Sequence, residues 1–175
     1  FRKSVVAYID RSCAHWRLFI TPYSMKSSEI SDLLKSVLKD STINHISVSA
    51  EHVPLWVLAD VLSRVNDQQP DAVIALGGGS TIDLAKGLRV FKSLGIRSPN
   101  EITDFIRSPS TLDKSPCPQI SIPTTLSGSE YTRSFSVTDF INKKKLSLTE
   151  TLCSSQTIIY DPIATRDTPL QLWAS

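Results

Sequence analysis

Cysteine is scarce in this chain of 175 residues: Cys13, Cys117 and Cys153 lie far apart and are odd in number. That pattern fits neither a disulfide framework nor a Cys-x-x-Cys metal site, and it points to a reducing compartment, the cytoplasm. Histidine is equally rare. His15, His45 and His52 show no His-Glu-x-x-His spacing, so they read as surface or capping residues and no metal site is expected. No apolar run approaches the roughly 20 residues needed to span a bilayer, which argues against a membrane helix. The first residues also lack the apolar core of a signal peptide. A net charge of +2 is too small to argue for a nucleic-acid partner, although "NKKK" at 142–145 concentrates positive charge locally. Internal repeats and low-complexity tracts are missing. So are G-x-G-x-x-G and Walker A loops, which disfavours P-loop chemistry.

The composition, 41% hydrophobic and 21% charged, is that of an ordinary globular domain. "RLFIT" (17–21) reads as a buried strand, and "SSEISDLLKSVLKD" (27–40) follows with Ile30, Leu33, Leu34, Val37 and Leu38 at helical spacing behind a Ser cap. "HISVSA" (45–50) is a second strand, "PLWVLADVLSRVN" (54–66) a second helix and "DAVIALGG" (71–78) a third strand. "TIDLAKGLRVFKSLG" (81–95) is a third helix that Gly95 ends. Residues 97–119, rich in Ser, Pro and Asp, read as a long surface loop with one helical turn around "EITDFI". "QISIP" (119–123) is a fourth buried strand, and residues 133–149 alternate as a hairpin outside this rhythm. Strands alternating with helices over short connections imply an α/β fold, a Rossmann-like parallel sheet with helices on both faces plus a β-hairpin. In the last stretch, Thr168-Pro169 announces a further helix, which the chain leaves unfinished.

The chemistry gathers at two loops. Gly77, Gly78 and Gly79 leave a buried strand and run into a helix, which puts backbone N–H groups and the positive end of the helix dipole at the C-terminal edge of the sheet. Ser80-Thr81-Ile82-Asp83 has the logic of a capping box. Such a turn suits a phosphate. "IPTTLSGSEYT" (122–132) leaves the neighbouring strand with Thr124, Thr125, Ser127, Gly128, Ser129 and Thr132, small hydroxyls able to bond a sugar or amide. Two such loops at one sheet edge are what an open α/β nucleotide site requires.

"GGGSTIDLAK", "PTTLSGSEYT" and "IIYDPIATRDTPLQLWAS" together resemble the iron-containing alcohol dehydrogenase superfamily. The loop, one residue shorter than the usual "PTT-x-GTGSE", is similar to the maleylacetate reductase branch. The resemblance implies a dinucleotide-binding domain over 1–165, with 166–175 starting a helix toward an all-helical domain absent from this chain. NAD or NADP would occupy the cleft. By the same resemblance Gly77, Gly78, Gly79 and Ser80 bind the pyrophosphate and Asp83 braces their turn. Thr124, Thr125, Ser127 and Ser129 line the adenosine and nicotinamide positions, and Lys144 or Lys145 reaches a ribose or phosphate. The implied activity is an NAD(P)H-dependent reductase or dehydrogenase acting on a small carbonyl, alkene acid or alcohol.

Two departures stand out. The segment carrying the family's metal-binding Asp and His residues would follow "LWAS", so catalytic residues stay unassigned. After the first strand the family often places an Asp for the ribose 2′-OH, where this chain has Pro22, Tyr23 and Ser24, which leaves NADP as open as NAD. The alternative is a stand-alone domain repurposed as a cyclase, isomerase or dehydratase, with Asp83 and Lys86, or Glu130 and Tyr131, as its acid/base pair. Self-association into a homodimer would then cover the exposed apolar surface.

Overall fold

A computed structural model describes residues 16–38, 42–48, 51–110 and 114–172. Cys13, His15, the ends of the segments expected to reach 40 and 50, residues 111–113 of the expected loop and residues 173–175 lie outside them.

Five strands form one parallel sheet: β1 (Trp16–Thr21), β2 (Thr42–Ser47), β3 (Ala72–Gly77), β4 (Gln119–Pro123) and β7 (Thr157–Ile158), in the order β2-β1-β3-β4-β7. Thr21 pairs with Ser47 at one end of β1, while Phe19 sits between His45 and Ile74. Strand β3 is buried along its whole length, as its unbroken apolar run requires. The intervening β5 (Ser134–Asp139) and β6 (Lys144–Thr149) form the expected antiparallel hairpin.

The helices are α1 (Glu29–Val37), α2 (Leu55–Arg64), α3 (Gly79–Leu94), α4 (Pro99–Arg107) and the short α5 (Pro162–Thr165). The chain moves one way across the sheet from β1 to β2 and the other way from β2 through β3 to β4, so right-handed crossovers put α1 on one face and α2 and α3 on the other. The period-two alternation of the strands feeds both cores. Leu18, Ile20, Val73 and Ala75 pack with Leu58, Leu62, Ile82 and Leu88, and the hairpin adds Phe135, Val137 and Leu148. Phe19, Ile74, Leu76, Ile120 and Ile122 pack with Ile30, Leu34 and Leu38 of the α1 side.

Three expectations need correction. The stretch 97–119 contains a nine-residue helix, α4, and not one turn in a loop. Its start is a complete capping box: Ser98 Oγ accepts from Glu101 N, and the Glu101 carboxylate accepts from Ser98 N at 2.9 Å. Ser-rich composition hid this signal and the apolar stripe of Ile102, Phe105 and Ile106. The capping box read at Ser80–Asp83 is absent, because α3 begins two residues earlier with Gly78 as its cap and no side-chain bond. Thr168 does not cap a helix either. Its hydroxyl donates to the Thr124 carbonyl at 2.7 Å, and within the described residues the chain after it is in a 3-10 turn over Leu170–Leu172.

Candidate functional site

Strand order reverses between β1 and β3, and an open α/β sheet leaves its ligand crevice at that point, beyond the carboxyl ends of the strands. Gly77 ends β3 there. A Cβ on Gly77 would stand 2.5 Å from Thr81 Oγ1 and 3.0 Å from Pro22 Cδ, so the turn is closed from the β1 side as well. A Cβ on Gly78 would meet Thr125 Oγ1 at 3.1 Å, and one on Gly79 would meet Ser127 Oγ at 2.8 Å and Ser129 Oγ at 2.9 Å. The first N–H groups of α3 receive no side-chain cap, so they and the helix dipole are presented bare at the sheet edge.

The loop after β4 leans on this turn. Thr124 N donates to the Gly77 carbonyl at 3.0 Å, and Gly128, at φ 71, supplies the left-handed residue that turns the chain into a 3-10 turn over Ser129–Tyr131. Beneath it lies Lys86. Its ammonium is fully buried and donates to the carbonyls of Ser129 (2.5 Å), Thr132 (2.9 Å) and Ser134 (2.9 Å) and to Thr132 Oγ1 (3.0 Å). These bonds hold Thr125, Ser127 and Ser129 against the glycines. Lys86 makes no ion pair with Asp83, so the two act on each other only through space.

Asp83 Oδ2 accepts from Ser136 N at 3.2 Å, which ties α3 to the hairpin, while its buried Oδ1 has no partner. Burial pushes the Asp83 carboxyl above its ordinary range, against the opposing pull of Lys86. Glu130 is also buried, but its partner is Tyr160 and not Tyr131: the Tyr160 hydroxyl donates to Glu130 Oε1 at 2.6 Å. Burial and that carboxylate raise the Tyr160 phenol, which keeps it a donor, and Glu130 Oε2 is left without a partner. Tyr131 is 69% exposed. Neither acid/base pair read from the sequence is therefore a bonded pair.

The hairpin separates the two candidate lysines by strand alternation. Lys145 stands opposite Thr138 and Lys144 opposite Asp139, so the two side chains leave opposite faces of the hairpin. Lys145 is close enough to favour the charged form of Asp83. His52, read as a surface residue, belongs to this same corner. His52 (φ 56) and Val53 (φ 44) are both left-handed, a costly conformation for a β-branched residue. They are held by His52 N donating to Ser80 Oγ (3.1 Å) and by Thr138 Oγ1 and N donating to the His52 and Val53 carbonyls (2.8 and 2.9 Å). No sequence signal marks that pair, since neither position holds the glycine that most often adopts such geometry. His45, read as a surface or capping residue, caps nothing: it lies within β2, with Nε2 at 2.9 Å from Thr21 Oγ1 and its ring stacked on Phe19.

A family model described as iron-containing alcohol dehydrogenase matches residues 2–162. The chain belongs to the iron-containing alcohol dehydrogenase family. Maleylacetate reductase 1 of Cupriavidus pinatubonensis is 31% identical over 154 residues, covering 86% of this chain and 36% of the relative. Among solved structures, an NADH-dependent butanol dehydrogenase of Thermotoga maritima superposes with a TM-score of 0.82 at 19% identity, over 98% of this chain and 43% of its own. A sulfoacetaldehyde reductase of Bifidobacterium kashiwanohense in complex with NAD+ does so with a TM-score of 0.82 at 21% identity, over 98% and 45%. These two establish that the fold is shared. The chain spans 33% to 43% of the length of the first curated relatives it matches. Among the described residues no group of three or more His, Cys, Asp or Glu side chains comes together for a metal, so those residues by themselves do not fit the iron of the family's name. Nor is any described helix long and apolar enough to cross a membrane.

Proposed function

We propose that this iron-containing alcohol dehydrogenase family chain binds NADH or NADPH at the glycine turn and forms the nucleotide side of a cytoplasmic oxidoreductase acting on a small carbonyl, alkene acid or alcohol. The observation that carries the reading is the cradle itself. Positions 78 and 79 face Thr125, Ser127 and Ser129 so closely that any side chain would fill the space, while the leading amides of α3 have no cap. Bare amides at a helix start, approached only by glycine and small hydroxyls, suit a pyrophosphate. The unpartnered Oδ1 of Asp83 fits a ligand hydroxyl or amide donor, which would satisfy it.

When bound, the nicotinamide supplies hydride transfer. This chain's residues would bind and orient it: Gly77, Gly78, Gly79 and Ser80 on the pyrophosphate, Asp83 bracing the turn, Thr124, Thr125, Ser127 and Ser129 along the adenosine and nicotinamide, and Lys145, rather than Lys144, on a ribose or phosphate. No carboxylate follows β1, where Pro22, Tyr23 and Ser24 stand, which supports acceptance of a 2′-phosphate and hence of NADPH. In this reading residues 1–165 are the nucleotide-binding domain, and 166–175 lead toward a helical one. Leu126, Tyr131 and Leu170 are exposed beside the cleft, an apolar surface that suits such a domain or the second copy of a homodimer.

Titration of the chain with NADH and NADPH, read by nicotinamide fluorescence, tests the assignment. Micromolar binding that Gly78→Val weakens at least tenfold is the expected result. Failure of both nucleotides to bind overturns it.

A further inference from the structure

Away from the glycine turn, at the far end of α3, lies a cavity of about 530 Å³. Helix α3 has 16 residues, so at ~1.5 Å of rise per residue its two ends stand well over 20 Å apart. The cavity is bounded by the last turns of α3, the chain leading into β3, Arg97 and the chain leading into β4. Four cations line it, Arg89, Lys92, Arg97 and Lys114, with the amides of Asn66 and Gln69, and no Asp or Glu of the described residues does so.

The four differ in what they still offer. Arg89 is a fixed wall: its guanidinium donates to Gln119 Oε1 and to the carbonyls of Cys117, Leu152 and Ser154. Lys92 Nζ donates to the Val65 and Asn66 carbonyls at 2.8 and 3.1 Å, which leaves one of its three N–H groups. Arg97 and Lys114 are exposed, and no carboxylate among the described residues makes an ion pair with Lys92, Arg97 or Lys114. Glu101, the nearest acid in sequence to Arg97, spends its carboxylate on the backbone N–H groups of Arg97 and Ser98 and on the Ser98 hydroxyl. Burial, and then the Arg97 charge, push the Lys92 ammonium below its ordinary range, against the weaker pull of Cys117 and Asp67. An anion between Lys92, Arg97 and Lys114 would accept their remaining N–H groups.

We infer that this cavity is a second ligand site, separate from the nucleotide cleft, that takes a phosphorylated small molecule. Its volume lies within the ~300–1,000 Å³ range of small-molecule sites, so it has room for an organic body behind the charged group. The apolar walls given by Leu62, Pro70 and Ile96 suit such a body. A cationic ligand would meet four like charges here. Charge-assisted bonds from a lysine and an arginine to phosphate oxygens supply the recognition.

Isothermal titration of the chain with ribose 5-phosphate, at low salt and at 150 mM KCl, reads this site directly. The expected result is binding at one site, weaker at the higher salt, that Arg97→Glu lowers at least tenfold and Gly78→Val leaves unchanged. Arg97 makes no structural side-chain bond, so the variant folds like the parent, and unchanged far-UV circular dichroism checks this. NADPH affinity should be the same in Arg97→Glu, which separates this site from the nucleotide assignment. Absence of ribose 5-phosphate binding overturns the inference. So does binding that Gly78→Val abolishes and Arg97→Glu retains, because the phosphate would then be sitting in the nucleotide cleft.

Discussion

The ammonium of Lys86 and the carbonyl of Ser129, 43 positions apart in sequence, are joined by a hydrogen bond of 2.5 Å that fixes the loop after β4 above the helix that follows the glycine turn. Both walls of the candidate nucleotide site therefore hang on one buried charge. Its donors all end on backbone carbonyls and a threonine hydroxyl, so the side chain acts as a scaffold for the site and not as a proton donor within it.

Lys86→Met keeps the length of the side chain and removes the charge. It leaves the carbonyls of Ser129, Thr132 and Ser134 to find other partners. At about 1–3 kcal/mol for each buried acceptor left unpaired, urea unfolding should show a loss of roughly 3 kcal/mol or more. NADPH affinity should fall with it, since Ser127 and Ser129 lose their support.

Asp83 carries a pH dependence whose sign follows from its burial. Its folded pKa lies above the unfolded one, so its contribution to stability is fully present below the ordinary carboxylate range and is lost as pH rises through the raised value. Asp83→Asn cannot titrate but can still accept from Ser136 N. The variant should be more stable than the parent at pH 7, with the difference shrinking toward pH 4, in urea melts run at both values.

Strand alternation predicts unequal roles for the hairpin lysines. Lys145→Gln should weaken NADPH binding about tenfold, ~1.4 kcal/mol, while Lys144→Gln, opposite Asp139, should change it less than twofold. Equal effects in a fluorescence titration would refute the assignment of Lys145 to the cleft.

Ser98 tests the helix that the sequence concealed. Ser98→Ala removes the acceptor for Glu101 N and should cost about 1 kcal/mol. For a chain of this size that is a fall of roughly 2–4 °C in Tm by calorimetry, with nucleotide affinity unchanged.

What could be read from the residues was whatever repeats along the chain. The buried stretches 17–21, 72–77 and 119–123 coincide with β1, β3 and β4 to within one residue, and the 3.6-residue spacing of Ile30, Leu34 and Leu38 faces one core, so the α/β layers follow from local pattern. The glycine turn was legible because three adjacent glycines have few other uses. Illegible were the features that arise only when distant segments meet. Nothing near Lys86 reveals that its acceptors lie over 40 positions away, and nothing in "EHVP" betrays two left-handed residues that Ser80 and Thr138 hold in place. Glu130 sits beside Tyr131 in sequence, yet the phenol it meets belongs to Tyr160, because a 3-10 turn swings the neighbouring ring outward.

Arg89 ties together segments that lie far apart along the chain. Its guanidinium bonds to the carbonyls of Cys117, Leu152 and Ser154, which lie 28, 63 and 65 positions further along the chain. Contacts of that separation close large loops, and the entropy of closing them is lost before any contact is gained. Its full set of acceptors exists only where β4 and the turn after the hairpin stand together beside α3. Bonds that need the assembled fold are broken chiefly when it comes apart, so Arg89→Met is expected to speed unfolding more than it slows folding, read from the two arms of a stopped-flow urea series.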